Sequence, residues 1–564
     1  MAFPFSTTLV ALPLKDHTMQ SILQYRRFRG LVQKQHEGAK EKIQPTAENE
    51  SNGSNGSNGT LTGDSLPPRS PEEKDLEKGD DDTLREPSTA AAGGSGQLQH
   101  PTEEVEPSTA QGEYEDTDMT NYLSQVSTQR SRRHQLGRAM TGIEVRKRNT
   151  NEGGEGNVFI VDYHDENDPM NPHTWSNAKR IYITFMVASI GFVVGVASSI
   201  DSEAIPQASA EFHVSEVVES MATGLYLVGF GVGALFAGPF SETFGRNPVY
   251  IVTLTLYMIF IMASGLAPNI GAQLVFRFLA GFFGSTPLTC AGGSLSDIWS
   301  PTERTYTFPV FANAAFTGPV IGPVIGGYIA QHLDTWRWTE WITLIMSGLV
   351  FFLVVFTLPE TYPPVLLKWK AKHLRDITGD ERYRAEAEVK MEPLMTRLGR
   401  ALYRPFLLAF TEPIIMIVTL YLTIIYIVLF TFLDGYTYIF SDIHGTSQGV
   451  TGLCFVGIII GLFGASALVP FIGSKAKKEL KRLRDEGKPE KLKPEFRLIF
   501  AMFGAPAIPI SLFWMGWTSD SSISIWSPLA ASVLFGYGIL TIFISSYQYI
   551  VSLEYIKFTQ RESR

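Results

Sequence analysis

The stretch FTGPVIGPVIGGYIA, Phe316 to Ala330, decides how this chain is read. Gly318, Pro319, Gly322, Pro323, Gly326 and Gly327 stand inside a run that is otherwise apolar. An interior Gly costs a helix about 1 kcal/mol and an interior Pro about 3 kcal/mol, so in water this composition is a loop. Inside a bilayer no water satisfies free backbone groups, and the segment must stay helical or line a protected cavity. Gly318, Gly322 and Gly326 recur every four residues and form one smooth stripe, which lets another helix approach closely. Pro319 and Pro323 lie one step around and each removes a backbone hydrogen bond, so the expected helix is kinked as well as closely packed. An ordinary small-residue packing face explains the stripe without any transport role. The paired prolines and the terminal Gly-Gly go beyond it.

The surroundings support the bilayer. Residues 1 to about 177 of the 564 are polar, with SNGSNGSNGT repeats and the acidic run PEEKDLEKGDDD, a composition too poor in apolar surface to fold alone. A disordered tail is expected there. From Ile181 onward, apolar runs of about 20 residues recur between short charged loops, the length that crosses hydrocarbon as a helix. Ten spans are expected, near 181–200, 220–240, 248–267, 271–293, 306–329, 338–358, 413–435, 448–471, 496–517 and 527–552. The loops at 363–412 and 472–497 each carry ten Lys plus Arg, whereas the opposite side carries only Arg337. Basic loops stay on the cytoplasmic side, so both termini are expected there.

That orientation disposes of smaller signals. The sequons at Asn52, Asn55 and Asn58 fall in a cytosolic segment and read as linker. The start MAFPFSTTLVALPL lacks a basic region and holds two prolines, which makes a poor secretory signal, and Met19 is an alternative start. RSRRH at 130–134 reads as a solvated charge run, with a targeting address or a lipid-binding patch as alternatives. Cys290 and Cys454 lie in different spans and suggest neither a disulfide nor a metal site. The net charge of −9 comes from the acidic tail and does not point to nucleic acid. No phosphate-binding Gly-rich loop with Lys and no nucleophile–base set stands out, so ATP-driven transport, enzymatic activity and a cofactor are not expected.

At this point the motifs resemble a known family. GPVIGPVIGG is similar to the antiporter motif of the major facilitator superfamily; GPFSETFGRNP (Gly238 to Pro248) resembles its loop motif of Gly, acid, Gly and Arg; RFLAGFFG (Arg277 to Gly284) resembles its fourth-helix motif. DPMNPHTWS, LPETYPPVLLKWKAKHLR, LYRPF and PEFRL are most similar to the fungal twelve-span drug:proton antiporters, and the resemblance covers about 168–551. It implies an all-α helical bundle with a six-helix half at 178–361, a cytosolic linker at 362–412, a second bundle at 413–556 and a short tail at 557–564. It also implies a multidrug-type efflux antiporter for small organic molecules and protons, in the plasma membrane or, alternatively, the vacuolar membrane, acting as a monomer. The family has twelve spans, whereas this sequence ends after ten, with Ser552 where an acid is expected. That ending suggests a gene-model error or a natural truncation, and leaves open a non-transporting sensor or a degenerate remnant of the fold.

The resemblance assigns roles to residues. Gly238, Glu242, Gly245 and Arg246 would form a conformational latch, with Asp297 as the partner of Arg246 and Glu242 at the positive end of a neighbouring helix. Without the family such groups are a cap and an exposed ion pair worth little. Asn247 stands where a basic residue is usual. Arg277, about two turns inside a span, needs a partner or water and would serve proton coupling, with Asp201 the most reachable acid, Glu203 next and Asp434 a further candidate. Snorkelling toward the interface is the competing reading of Arg277. Trp336, Trp338 and Trp341 read as an aromatic belt. Tyr421 and Tyr426, with Tyr436 and Tyr438 nearby, could line a substrate cavity or simply pack a core.

Overall fold

The computed structural model describes residues 19–43, 143–147, 157–164, 168–333, 335–389, 393–487 and 492–562. The chain divides into two compact units, and everything below concerns the larger, Met1–Ala39 with Met140–Arg564. The smaller, Lys40–Ala139, is described only over residues 40–43, the end of a helix.

Ten helical spans among the described residues are long and apolar enough to cross a membrane, at the places where apolar runs of about 20 residues lead one to expect them. A helix before them, α1 (Met19–Ile43), is polar. The first six spans hold α2 (Asn177–Ala197), α3 (Glu216–Phe244), α4 (Arg246–Gly265), α5 (Ile270–Ile298), α6 (Arg304–His332) and α7 (Trp338–Thr357). Outside the spans follow α8 (Pro363–Thr378) and α9 (Leu394–Thr411). The remaining spans hold α10 (Pro413–Tyr436), then α11 (Gln448–Cys454), α12 (Val456–Ser466) and α13 (Val469–Asp485) in one, α14 (Ile499–Gly504) and α15 (Ala507–Thr518) in the next, and α16 (Trp526–Glu562).

Small residues set the packing. A Cβ at Gly229 or Gly233 of α3 would run into the carbonyls of Phe278 or Phe282 on α5, and one at Gly281 of α5 into that of Tyr226, so these two backbones touch. The same seam joins α12 to α16, where Gly461 meets the Val533 carbonyl and Gly536 that of Ile458. Ile183, Ile190 and Val194 of α2 are sealed at the centre of the first six spans, whereas α10 turns Ile417, Leu420 and Ile427 outward, each more than 60% exposed. The two groups of spans meet along α6. A Cβ on Gly452 of α11 would lie 2.6 Å from the Pro323 carbonyl, and Phe308 stacks on Tyr547 of α16 at 4.2 Å.

Two expectations need correction. The segment up to 177 is not disordered throughout. In α1, Phe28 and Val32 are buried; Tyr25 meets Trp369 of α8 edge-on at 5.5 Å and lies 4.2 Å from His373. The β-branched run of β2 (Asn157–Val161) pairs antiparallel with β1 (Ile143–Lys147) and parallel with β3 (Tyr383–Ala385). These segments fold because they find apolar partners in the linker at 362–412, which composition alone does not display. The sequons and the RSRRH cluster lie outside the described residues. At the other end α16 runs on to Glu562, where a separate tail from 557 was expected, because LEYIKFTQRE contains neither Gly nor Pro to stop it.

Candidate functional site

Polar side chains gather at the two ends of the first six spans, some 30 Å apart along α5 by helical rise. At one end Gly245 closes α3 with φ +99°, a backbone that only Gly adopts without strain, and the chain turns at once into α4. Arg246 opens that helix. Its Nε donates to Asp297 Oδ2 at 3.0 Å and its Nη1 to Ser241 Oγ at 2.6 Å, and its guanidinium lies 4.9 Å from the Tyr362 ring centre. A Cβ on Gly293 would lie 2.6 Å from the guanidinium carbon, so the missing side chain there lets Arg246 lie close against α5.

Glu242 is exposed at the end of α3, and the acid at the positive end of α4 is another residue, Glu360. Glu360 is fully buried and accepts the N–H groups of Arg246 and Asn247 at 3.1 Å each, with Thr361 and Tyr362 donating at 3.0 and 2.9 Å. Four free donors around one carboxylate form a strong anion cradle. Sequence reasoning missed Glu360, although the acid stands in LPETYPP directly after an apolar span. The buried Asn247 donates to the Leu358 carbonyl at 2.6 Å, which rationalises an amide at that place. Gly238 faces open space, so packing does not demand it.

At the other end Arg277 is 1% exposed and does not snorkel. Its Nη1 donates to the Ala197 carbonyl at 2.9 Å, and its Nη2 faces Asp201 and, at 2.8 Å, Oε1 of Glu340. Ser264 also donates to that oxygen at 2.6 Å. Glu340 was not foreseen because in RWTEW it reads as an interfacial acid near the start of α7. Glu203 turns the other way and accepts from Thr437 Oγ1 at 3.2 Å across to the later spans. The side chain of Asp434 lies outside the described residues.

The glycine stripe packs on α2 and its continuation. Cβ atoms on Gly318, Gly322 or Gly326 would press on the Phe192 carbonyl, Ser199 Oγ or the Ile200 carbonyl, while Ser199 donates to the Pro319 carbonyl at 2.6 Å. That donation falls within the proline-interrupted stretch, where α6 remains helical. Gly327 points elsewhere, with its Cβ position 2.6 Å from the Gln448 carbonyl.

One aromatic reading changes. Trp336 is buried, with its ring N–H on Glu211 at 2.7 Å, so of the supposed belt it is a core residue. Tyr421 is half-buried and packs against the core, and Tyr426, 42% exposed, lies 6.3 Å from the Phe316 ring of α6. Tyr436 is sealed against Phe455 at 4.1 Å, and Tyr438 is exposed.

Ten apolar spans among the described residues, with ion pairs buried between them, make a multi-pass membrane protein. The family model of the Major Facilitator Superfamily matches residues 187–555, and the chain belongs to that superfamily, whose members are transporters. It is 54% identical over 395 residues to the MFS-type transporter kojT of Aspergillus oryzae, covering 70% of each chain. It is 36% identical over 399 residues to the citrinin biosynthesis cluster MFS transporter mrr1 of Monascus ruber, covering 70% of this chain and 78% of that one. Among solved structures, the proton:xylose symporter XylE superposes with a TM-score of 0.46 at 15% identity, over 67% of this chain and 82% of that one.

Proposed function

We propose that this transporter exports small organic molecules, of the drug, toxin, polyamine or secondary-metabolite kind, in exchange for protons. It acts as a monomer in the plasma membrane with both termini cytosolic. The carrying observation is Arg277, one buried cation held by the carboxylates of Asp201 and Glu340 from two different elements. Removing either partner from such a pair leaves an uncompensated charge, at a cost of about 3–5 kcal/mol. A proton arriving on one carboxylate therefore decides which acid the guanidinium keeps, and with it which helix is tied to α5. Arg246, Asp297 and Glu360 at the opposite end hold α4, α5 and the end of α7 together as the latch that this exchange must release. The similarity to a citrinin biosynthesis cluster transporter supports a secondary-metabolite cargo. The Lys/Arg excess of 363–412 and 472–497 supports the orientation.

Sealed inside-out vesicles offered a panel of fluorescent organic cations and aromatic acids test the reading. Uptake should follow an imposed pH gradient without ATP, vanish when the gradient is collapsed, and be lost in Arg277→Ala but partly kept in Arg277→Lys. Uptake that needs ATP and ignores the gradient overturns it.

A further inference from the structure

One turn before Arg277 on α5 stands Gln273, and the pair it forms with Glu219 of α3 is incomplete in a specific way. Gln273 is fully buried and Glu219 is 3% exposed. Gln273 Nε2 donates to Glu219 Oε1 at 2.8 Å. The other two oxygens, Glu219 Oε2 and Gln273 Oε1, are buried without any hydrogen-bond partner. Both are acceptors in an ionised pair, and two acceptors cannot satisfy each other. A buried unpaired polar atom costs about 1–3 kcal/mol, and an uncompensated buried carboxylate costs more.

A single hydrogen on Glu219 Oε2 resolves both faults at once. The acid O–H then donates to the Gln273 carbonyl oxygen while Glu219 Oε1 keeps the amide N–H, giving a closed two-bond acid–amide ring. Counting charge leads the same way. Asp201 and Glu340 already share the guanidinium of Arg277, two acids on one cation before Glu219 is counted. Glu340 on α7 is the charged neighbour that bears on Glu219; Arg277 lies one turn along α5 and already holds Asp201 and Glu340.

We infer that Glu219 is a second proton-binding residue of the transporter, holding its proton in a ring with the Gln273 carboxamide and exchanging it during the transport cycle. Its place in that cycle rests on the proton-coupled reading above; its protonation does not. Glu219→Gln replaces the acid–amide ring by an amide–amide ring with the same two bonds, so the fold is expected to survive while the exchangeable proton is lost.

Infrared difference spectroscopy on the full chain, purified in detergent without added substrate, reads the proton directly. The wild-type protein should show a protonated-carboxyl stretch that disappears in Glu219→Gln and shifts to higher frequency in Gln273→Leu, where the carbonyl loses its amide donor. If Glu219→Gln does not survive purification, Gln273→Leu carries the test. A carboxyl spectrum unmoved by whichever variants are purified overturns the inference. In vesicles, protons moved per substrate should fall in Glu219→Gln, since one of the two exchanging carboxyl sites is gone. Coupling present in the wild type but unchanged in Glu219→Gln overturns the role in exchange and leaves the antiport reading intact. No coupling in the wild type overturns the antiport reading and, with it, the exchange, while the infrared band still decides the proton.

Discussion

Glu360 accepts the backbone N–H of Arg246 at 3.1 Å across 114 positions of sequence. The acid at the end of one six-span half thus caps the helix opened by the latch arginine. The contact reaches further, because Gln24 of α1 holds the Glu360 backbone from both sides, donating to its carbonyl at 3.2 Å and accepting its N–H at 3.0 Å. The N-terminal helix, the linker and the latch form one hydrogen-bonded assembly.

Glu360→Gln should therefore weaken the latch. The amide offers one oxygen and no charge to four N–H donors, and loss of charge-assisted bonds costs about 1–3 kcal/mol. Thermal unfolding in detergent is expected to fall by several degrees and vesicle transport to drop with it. An unchanged melting curve would show that the cradle contributes nothing.

Gly245→Ala should be at least as damaging by a different route. Its φ of +99° disfavours any side chain, and a Cβ would sit 2.6 Å from Glu360 Oε2. Strain of about 1–3 kcal/mol adds to the displaced carboxylate. If Gly245→Ala unfolds at the wild-type temperature, the tight turn is not needed.

Gly322→Leu should leave protein at the membrane with little export, since the side chain would wedge α6 away from Ser199 and Ile200, where Ile200 N is 2.9 Å from the Cβ position. Gly348 of α7 meets nothing within 4 Å, so Gly348→Leu is the control expected to export normally. Equal efflux from both at equal abundance would refute the packing role.

Trp369→Ala should release α1 from α8 by removing the ring that Tyr25 and Phe28 pack on. Trypsin would then cut at Arg26, Arg27 and Arg29 several-fold faster than in the wild type, by rapid sampling of the undocked helix. Unaltered cleavage would mean that α1 does not depend on this contact.

The Asp168–Lys370 pair ties the segment before α2 to α8 and gives an acid-sensitive joint. Burial works against the Asp168 carboxylate, but Lys370 at 3.2 Å and the N–H groups of His164 and Met170 outweigh it and hold the carboxyl below its ordinary value. Burial also pushes Lys370 down against the pull of Asp168, so the acid side of the pair, with its three donors, governs the pH response. A depressed carboxyl stabilises above its unfolded value of about 4 and loses that contribution as pH falls further. Protease protection of this segment should thus decline below about pH 4 in the wild type, and Asp168→Asn should be weak at every pH. A parallel acid profile in Asp168→Asn would assign the decline to another group.

Ten spans, the close-packed glycine stripe and the pairing types open to Arg246 and Arg277 were legible in the sequence, because bilayer thickness sets the length of an apolar run and a charge inside it demands a partner. Asp297 beside Arg246 and Asp201 beside Arg277 were legible too, but the further acids at each end were not. Glu340 and Glu360 read as ordinary acids beside spans, yet the backbone path brings Glu360 to the start of α4 and Glu340 to Arg277. Trp336 looked like a belt residue until Glu211 claimed its N–H. The fold of α1 and of β1 with β2 was illegible for the same reason: their apolar partners lie in the linker more than 200 residues away. Length, hydropathy and small-residue spacing are local, and one segment carries them; who pairs with whom is set by chain path, which only tertiary packing decides.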